Sequence, residues 1–252
     1  MSTQSAQNVD ARRTTRPRQA TVHAVPSAEI DRAAAVEAVR ALLLALGRDP
    51  QNPHLSDTPR RVADAFIEML APRPFEATSF ANDEGYSELV LVRGIPFSSL
   101  CEHHLLPFSG VAHIGYVPGD KLLGLSKLAR VLEYFSRDLQ VQERLTQQIA
   151  NWLQSELAPL AVGVVIEAEH SCMSSRGARV TGSTTSTSAW HGELHENRAA
   201  RAEFLALCGI APQVPDAAGA RRAEAPHHSS DHSPFASADS EGGARAYSEE
   251  AS

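Results

Sequence analysis

Cys101-Glu102-His103-His104, answered about seventy residues later by His170-Ser171-Cys172, limits the folds open to this chain, because two distant segments must meet if their thiols and imidazoles share one centre. Cys sulfur and His nitrogen are donors that zinc takes in tetrahedral sites, and a catalytic zinc keeps its fourth position for water. Cys101, His104 and Cys172 fill three positions. His170 and Cys172 end the alternating apolar run Val162, Val164, Ile166 and Ala168, and a strand continued through them places both side chains on one face. His170 then stands beside the metal without binding it. His103, next to ligand His104 in a tight turn, points away from the ligand direction and is a second proton-transfer candidate.

On spacing alone three arrangements stay open. One is the catalytic zinc just described. A second makes Cys101 and Cys172 buried or oxidised thiols, with histidines nearby by accident. The third is a closed structural zinc that takes His103 or His170 as fourth ligand. Closed sites more often draw their ligands as two short-spaced pairs, and the second half here supplies only Cys172.

The ends of the chain carry few core-forming residues. Residues 1–27 hold Ser, Thr, Gln and the basic cluster Arg12, Arg13, Arg16 and Arg18 without apolar periodicity, and are expected to form a disordered basic arm. Residues 211–252 are rich in Ala, Ser, Gly, Pro and His, with seven acids against three bases, and are expected to form a disordered acidic tail. Between them the reading predicts a helical region over 28–75 and a catalytic domain over 76–210. No stretch approaches the roughly eighteen apolar residues of a membrane span, and the N-terminus lacks the apolar core of a secretory signal. With three cysteines and no disulfide framework, a soluble cytoplasmic protein is expected, with neither membrane nor nucleic acid as partner.

The segment from Ala28 to about Leu46 has apolar residues near helical spacing and Gly47 as a stop. Ser56-Asp57-Thr58-Pro59 offers a cap and an early proline to a second helix with Val62, Phe66, Met69 and Leu70 on one face. Glu88–Arg93 and Val111–Val117 read as strands that enclose the first metal half-site. Ser126 can cap a helix that buries Leu128, Val131, Leu132 and Phe135 and leaves Lys127 and Arg130 near its N-terminus, where amides and cations suit phosphate oxygens. Val141–Leu157 is expected to bury Leu145, Ile149, Trp152 and Leu153, with Gln142 and Glu143 at its start. Glu143 is either a favourable first-turn acid or an acceptor for a donor edge such as guanine's. A strand over 162–170, Ser175-Arg176-Gly177, a last strand over 181–188 and a final helix bearing Cys208 complete an α+β pattern.

Four motifs in order, Ser-Leu-Cys-Glu-His-His from 99, Gly-Leu-Ser-Lys-Leu-Ala-Arg from 124, Leu-Gln-Val-Gln-Glu-Arg-Leu-Thr from 139 and Glu-His-Ser-Cys-Met from 169, resemble the zinc-dependent GTP cyclohydrolase I family. The resemblance spans about Ala28 to Cys208. It implies a tunnelling fold, an antiparallel sheet with helices packed on one face and an N-terminal helical extension, assembled as stacked rings into a homodecamer with active sites between subunits. It makes Cys101, His104 and Cys172 the Zn2+ ligands and His103 and His170 the proton-transfer residues. Glu143 with Gln142 would recognise guanine, Ser126 would lie near the ribose, and Lys127, Arg130 and Arg176 would bind triphosphate. Arg61 would reach a neighbouring subunit's phosphates. The implied reaction opens the guanine five-membered ring of GTP at C8, releases formate and rearranges the remainder to 7,8-dihydroneopterin triphosphate, the first step toward tetrahydrofolate and related pterins.

Overall fold

The structure is a computed structural model that describes residues 18–21 and 30–210. Most of the expected basic arm and the whole expected acidic tail, 211–252, lie outside the described residues.

The helical region holds two helices. Helix α1, Arg32–Ala45, starts where the Asp31 side chain accepts a hydrogen bond from the Ala34 N–H at 2.9 Å. It buries none of its residues and meets α2, Thr58–Met69, through a two-pronged pair between Arg32 and Asp64 at 2.6 and 2.9 Å. Pro59 occupies the first turn of α2 as expected, but Asp57 makes no capping bond, because its carboxylate is taken by Arg60 and Arg61.

Among the described residues eight strands form two sheets. The smaller one orders β1 (Arg18–Thr21), β2 (Glu76–Ala81) and β5 (Lys121–Leu123) as β1-β2-β5. Its strand β1 falls inside the stretch expected to be disordered. Antiparallel pairing with β2 draws on backbone N–H and C=O groups, so the absence of apolar side chains did not forbid it. The larger sheet has the order β6-β3-β4-β7-β8, from β3 (Val90–Cys101), β4 (Pro107–Val117), β6 (Leu139–Gln140), β7 (Ala161–His170) and β8 (Thr185–Gly192). It is antiparallel except that β6 runs parallel to β3, at Leu100 and Cys101.

Strands β4 and β7 occupy the middle because residues 112–116 and 161–166 are continuous buried runs, which only a strand covered on both faces can use. Helix α3, Ser126–Ser136, and helix α4, Gln142–Leu157, cover one face. Leu128, Val131, Leu132, Leu145, Ile149 and Leu153 pack there on Ala112, Ile114, Val162, Val164 and Ile166. The opposite face is covered too, which corrects the expectation of helices on one face only. Helix α6, Glu193–Glu196, and helix α7, Arg198–Cys208, bring Leu194 and Phe204 against Ala161 and Val165. Phe204 meets Trp190 edge-on at 5.2 Å and lies over Gly115 and Gly163, where a Cβ would approach its ring to 2.9 and 2.8 Å. Those two glycines make the room for it.

Strand β4 starts at Pro107 rather than Val111, and two other strand boundaries moved as well. Strand β3 continues well past Arg93 to Cys101, with a register shift between Val92 and Ile95 where Gly94 takes φ 69°. Pro96 is tolerated because β6 joins the outer side of β3 only at Leu100 and Cys101, so the missing N–H faces no partner strand. Strand β8 begins at Thr185 rather than 181, its register set by pairs from Ala168–Thr185 to Ala161–Gly192. Strand β7 ends at His170 as expected, but it does not continue through Cys172: Ser171–Ser174 coil into a single turn, α5, so Cys172 does not share a strand face with His170. None of the described helices is long and apolar enough to cross a membrane.

Candidate metal and catalytic centre

The centre sits where β3, β4 and β7 end together. Cys101, buried at the tip of β3, opens a tight turn in which its carbonyl accepts from the N–H groups of His104 and Leu105, while its own N–H donates to the Leu106 carbonyl. Leu105 takes the left-handed conformation, φ 53°, that lets so short a turn close. The turn folds His104 back over its own start, and Nδ1 of His104 lies 3.7 Å from Cys101 Sγ. From the other side, the ladder pairing Phe108 with His170 brings the end of β7 beside this turn, and α5 carries Cys172 into it. Donor atoms of Cys101, His104 and Cys172 lie within 4.8 Å of one another. Neither His103 nor His170 belongs to that group among the described residues.

Burial first, and then the closeness of Cys101, push the Cys172 thiol above its ordinary pKa, with Arg176 pulling the other way. Two sulfurs so placed repel as thiolates unless a cation lies between them. Two thiolates and one imidazole fit zinc.

His103 stands beside the group rather than turned away from it. Its Nδ1 is 4.0 Å from Cys101 Sγ, its Nε2 is 3.7 Å from a Glu102 carboxylate oxygen, and its ring stands 79° from that of His104. His170 is held on two sides: its ring stacks on Phe108 at 4.6 Å and 2°, and its Nε2 lies 2.8 Å from Gln142 Oε1. Burial lowers the His170 pKa, and the negative charge of Glu143 opposes that shift. Glu143 is exposed in the first turn of α4 and acts on His170 through space.

The other expected residues divide. Arg176 is exposed just after α5, and its charge is felt at Cys172. Ser126, Lys127 and Arg130 lie in the first turns of α3, but Ser126 is the first helical residue rather than a cap, and Arg130 is paired with Glu133 at 3.3 Å. No hydrogen bond or ion pair joins these three to the Cys101 group among the described residues. Arg61 is exposed on α2 and paired with Asp57 at 3.1 Å. Gln142 departs most from expectation. It is 1% exposed, and its side-chain N–H groups face Ile166, Thr185 and Thr187 inside the fold rather than the open site.

Sequence reasoning missed Glu102, Arg144 and Phe108. Arg144 reaches across 42 positions to the Glu102 carboxylate at 2.5 Å, and also bonds the Leu139 carbonyl and Gln140 Oε1, clamping the metal-side turn to the start of α4. Glu102 stood in plain view inside the Cys-Glu-His-His motif, but nothing local marked Arg144 as its partner. Cys208, the third cysteine, is the last residue of α7 and is buried in the cluster with Leu194 and Phe204, and burial raises its pKa to about 11. It stays a thiol.

Fold and site together define an α+β protein with a thiolate–imidazole centre suited to a metal ion. The family model for GTP cyclohydrolase I matches residues 35–209. Relatives named GTP cyclohydrolase 1 include that of Corynebacterium glutamicum, 52% identical over 71% of this chain and 94% of its own length, and that of Mycolicibacterium vanbaalenii, 50% identical over 73% and 93%. That of Dehalococcoides mccartyi is 47% identical over 70% and 96%. The chain belongs to the GTP cyclohydrolase I family.

Proposed function

We propose that this protein is a GTP cyclohydrolase I, hydrolysing GTP to formate and 7,8-dihydroneopterin triphosphate. The observation that carries the reading is the meeting of Cys101, His104 and Cys172 beside a held but non-ligating His170, in a chain about half identical to enzymes of that name. Zinc held by the three donors supplies Lewis acidity that makes water a nucleophile near neutral pH.

The remaining work falls to side chains. Glu143 accepts hydrogen bonds from the guanine edge, and its charge sits where it also acts on His170. His170 donates a proton to the purine nitrogen as the C8–N bond breaks and its electron pair moves to that nitrogen. His103, beside Cys101, is the second proton carrier. Lys127, Arg130 and Arg176 hold the triphosphate, with Ser126 near the ribose. Two hydrolytic steps consume two waters, and closure of the ribose-derived carbons onto the amine returns one.

A tunnelling-fold ring assembly, a homodecamer with Arg61 acting across a subunit boundary, belongs to the same reading. Helix α1 buries none of its residues within one chain, and Leu42, Leu44 and Leu46 are 56, 58 and 65% exposed, apolar surface that a neighbouring subunit would cover. Light scattering on purified protein tests this, and a monomer with full activity would end it. The proposed setting is the cytoplasm, where thiols stay reduced.

Purified protein given GTP is expected to release formate in step with a fluorescent pterin after oxidation, and a strong chelator is expected to stop both. Glu143→Gln is expected to raise KM for GTP about 10- to 100-fold, since a charged hydrogen bond contributes about 1.5–3 kcal/mol. An unchanged KM would remove Glu143 from guanine recognition.

A further inference from the structure

Gln142 has a hydrogen-bond arrangement that admits one orientation only. Its amide nitrogen lies 3.0 Å from the Ile166 carbonyl oxygen, 2.8 Å from that of Thr185 and 3.1 Å from Thr187 Oγ1. Backbone carbonyls only accept, so exchanging the amide's oxygen and nitrogen would set an oxygen against two more oxygens. The hydroxyls agree with this. Thr146 donates to the Gln142 backbone carbonyl at 2.7 Å, so in its 2.6 Å contact with Thr187 it must accept, which leaves Thr187 to accept from Gln142. The amide oxygen therefore faces His170 at 2.8 Å, and the proton in that bond belongs to His170 Nε2. A neutral imidazole carries one N–H, so Nδ1 is bare. No hydrogen bond occupies Nδ1 among the described residues, and the Phe108 stack fixes the plane in which it lies.

We infer that Gln142 is a positioning residue that holds His170 in its Nε2–H tautomer, leaving Nδ1 as the nitrogen that exchanges protons with the reacting purine. This rests on the proposed role of His170 and moves Gln142 from guanine recognition to support of the proton carrier. It also orders the steps. With Nδ1 bare, His170 acts first as base: an O–H bond of water breaks and an Nδ1–H bond forms while that oxygen bonds C8 and the C8–N π pair moves onto nitrogen, and Nε2–H stays on Gln142. It then acts as acid: Nδ1–H breaks, N–H forms on the purine, and the electron pair of the cleaved C–N bond goes to that nitrogen.

Gln142→Met keeps an unbranched side chain of similar length and removes the amide. In the zinc-loaded enzyme it is expected to lower kcat about 100-fold, the effect of misplacing a reacting group, with KM for GTP unchanged. A raised KM with kcat unchanged would return Gln142 to base recognition and overturn the inference. The wild-type protein supplies a test that survives even if this variant fails to fold. In 15N-histidine spectra of zinc-loaded protein, taken above the usual histidine range, the signals absent from His170→Ala are expected to show the Nε2–H tautomer. An Nδ1–H signature overturns the inference. Full activity in His170→Ala would instead overturn the role of His170 itself, which separates the two failures.

Discussion

His170→Ala is expected to bind zinc as the parent protein does and to release formate from GTP about 100- to 10,000-fold more slowly, the range over which a placed proton carrier acts. The expectation follows from the separation of two jobs at the end of β7. His170 is held by Phe108 and Gln142 and stands outside the three-donor group, so truncating it removes no ligand. Cys172, two residues on, belongs to that group. Cys172→Ala should therefore lose most of its bound metal and its activity together, because a site left with one thiol and one imidazole holds zinc far more weakly. Metal analysis of both variants beside a formate assay reads the difference. Equal zinc and equal activity in the two would contradict both assignments.

Gly110→Ala is expected to destabilise the protein by at least about 3 kcal/mol, at the upper end of what overpacking costs. A Cβ at Gly110 would fall 1.9 Å from the Glu167 carbonyl oxygen and 2.6 Å from Ala168 Cα, both backbone atoms of the neighbouring central strand, so no side-chain rotation relieves it. Relief requires parting β4 from β7 where Gly110 pairs with Ala168, two positions from the Phe108–His170 pair. Formate release should fall with stability. Gly124→Ala is the control, since its Cβ would come no nearer than 3.6 Å to any atom beyond the adjacent residues, and it should stay within about 0.5 kcal/mol of the parent. Urea unfolding of the two variants measures both, and a Gly110→Ala transition matching the parent's would show that the ladder yields more easily than its geometry says.

The parts legible in the sequence were those whose signal is local and periodic. Helix α4 was expected from Val141 and begins at Gln142, and its Leu145, Ile149 and Leu153 are fully buried as their spacing required. The alternation of Val162, Val164 and Ile166 correctly marked one face of β7. The same alternation misled two residues beyond the strand, because periodicity does not say where a ladder stops, and Cys172 reaches its neighbours from a helical turn instead. What stayed hidden depends on contacts between distant segments. The second helical layer exists because Phe204 finds space over Gly115 and Gly163, and glycines in a strand look like weak points until their partner is known. Gln142 illustrates the limit at the site. A polar residue beside Glu143 reads as solvent-facing, and only the nearness of the β7 and β8 carbonyls shows that it is enclosed.

Phe108 and His170 are cross-strand partners as well as stacked rings, so the placement of the His170 imidazole reports on the alignment of β4 with β7. Sliding that pair by one position would turn every side chain of β4 to its opposite side and leave His170 without its aromatic support. Chains that regain helix during refolding but pair these strands out of step would look folded by circular dichroism and be inert. Recovered turnover is therefore a stricter gauge of correct strand alignment in this protein than recovered secondary structure.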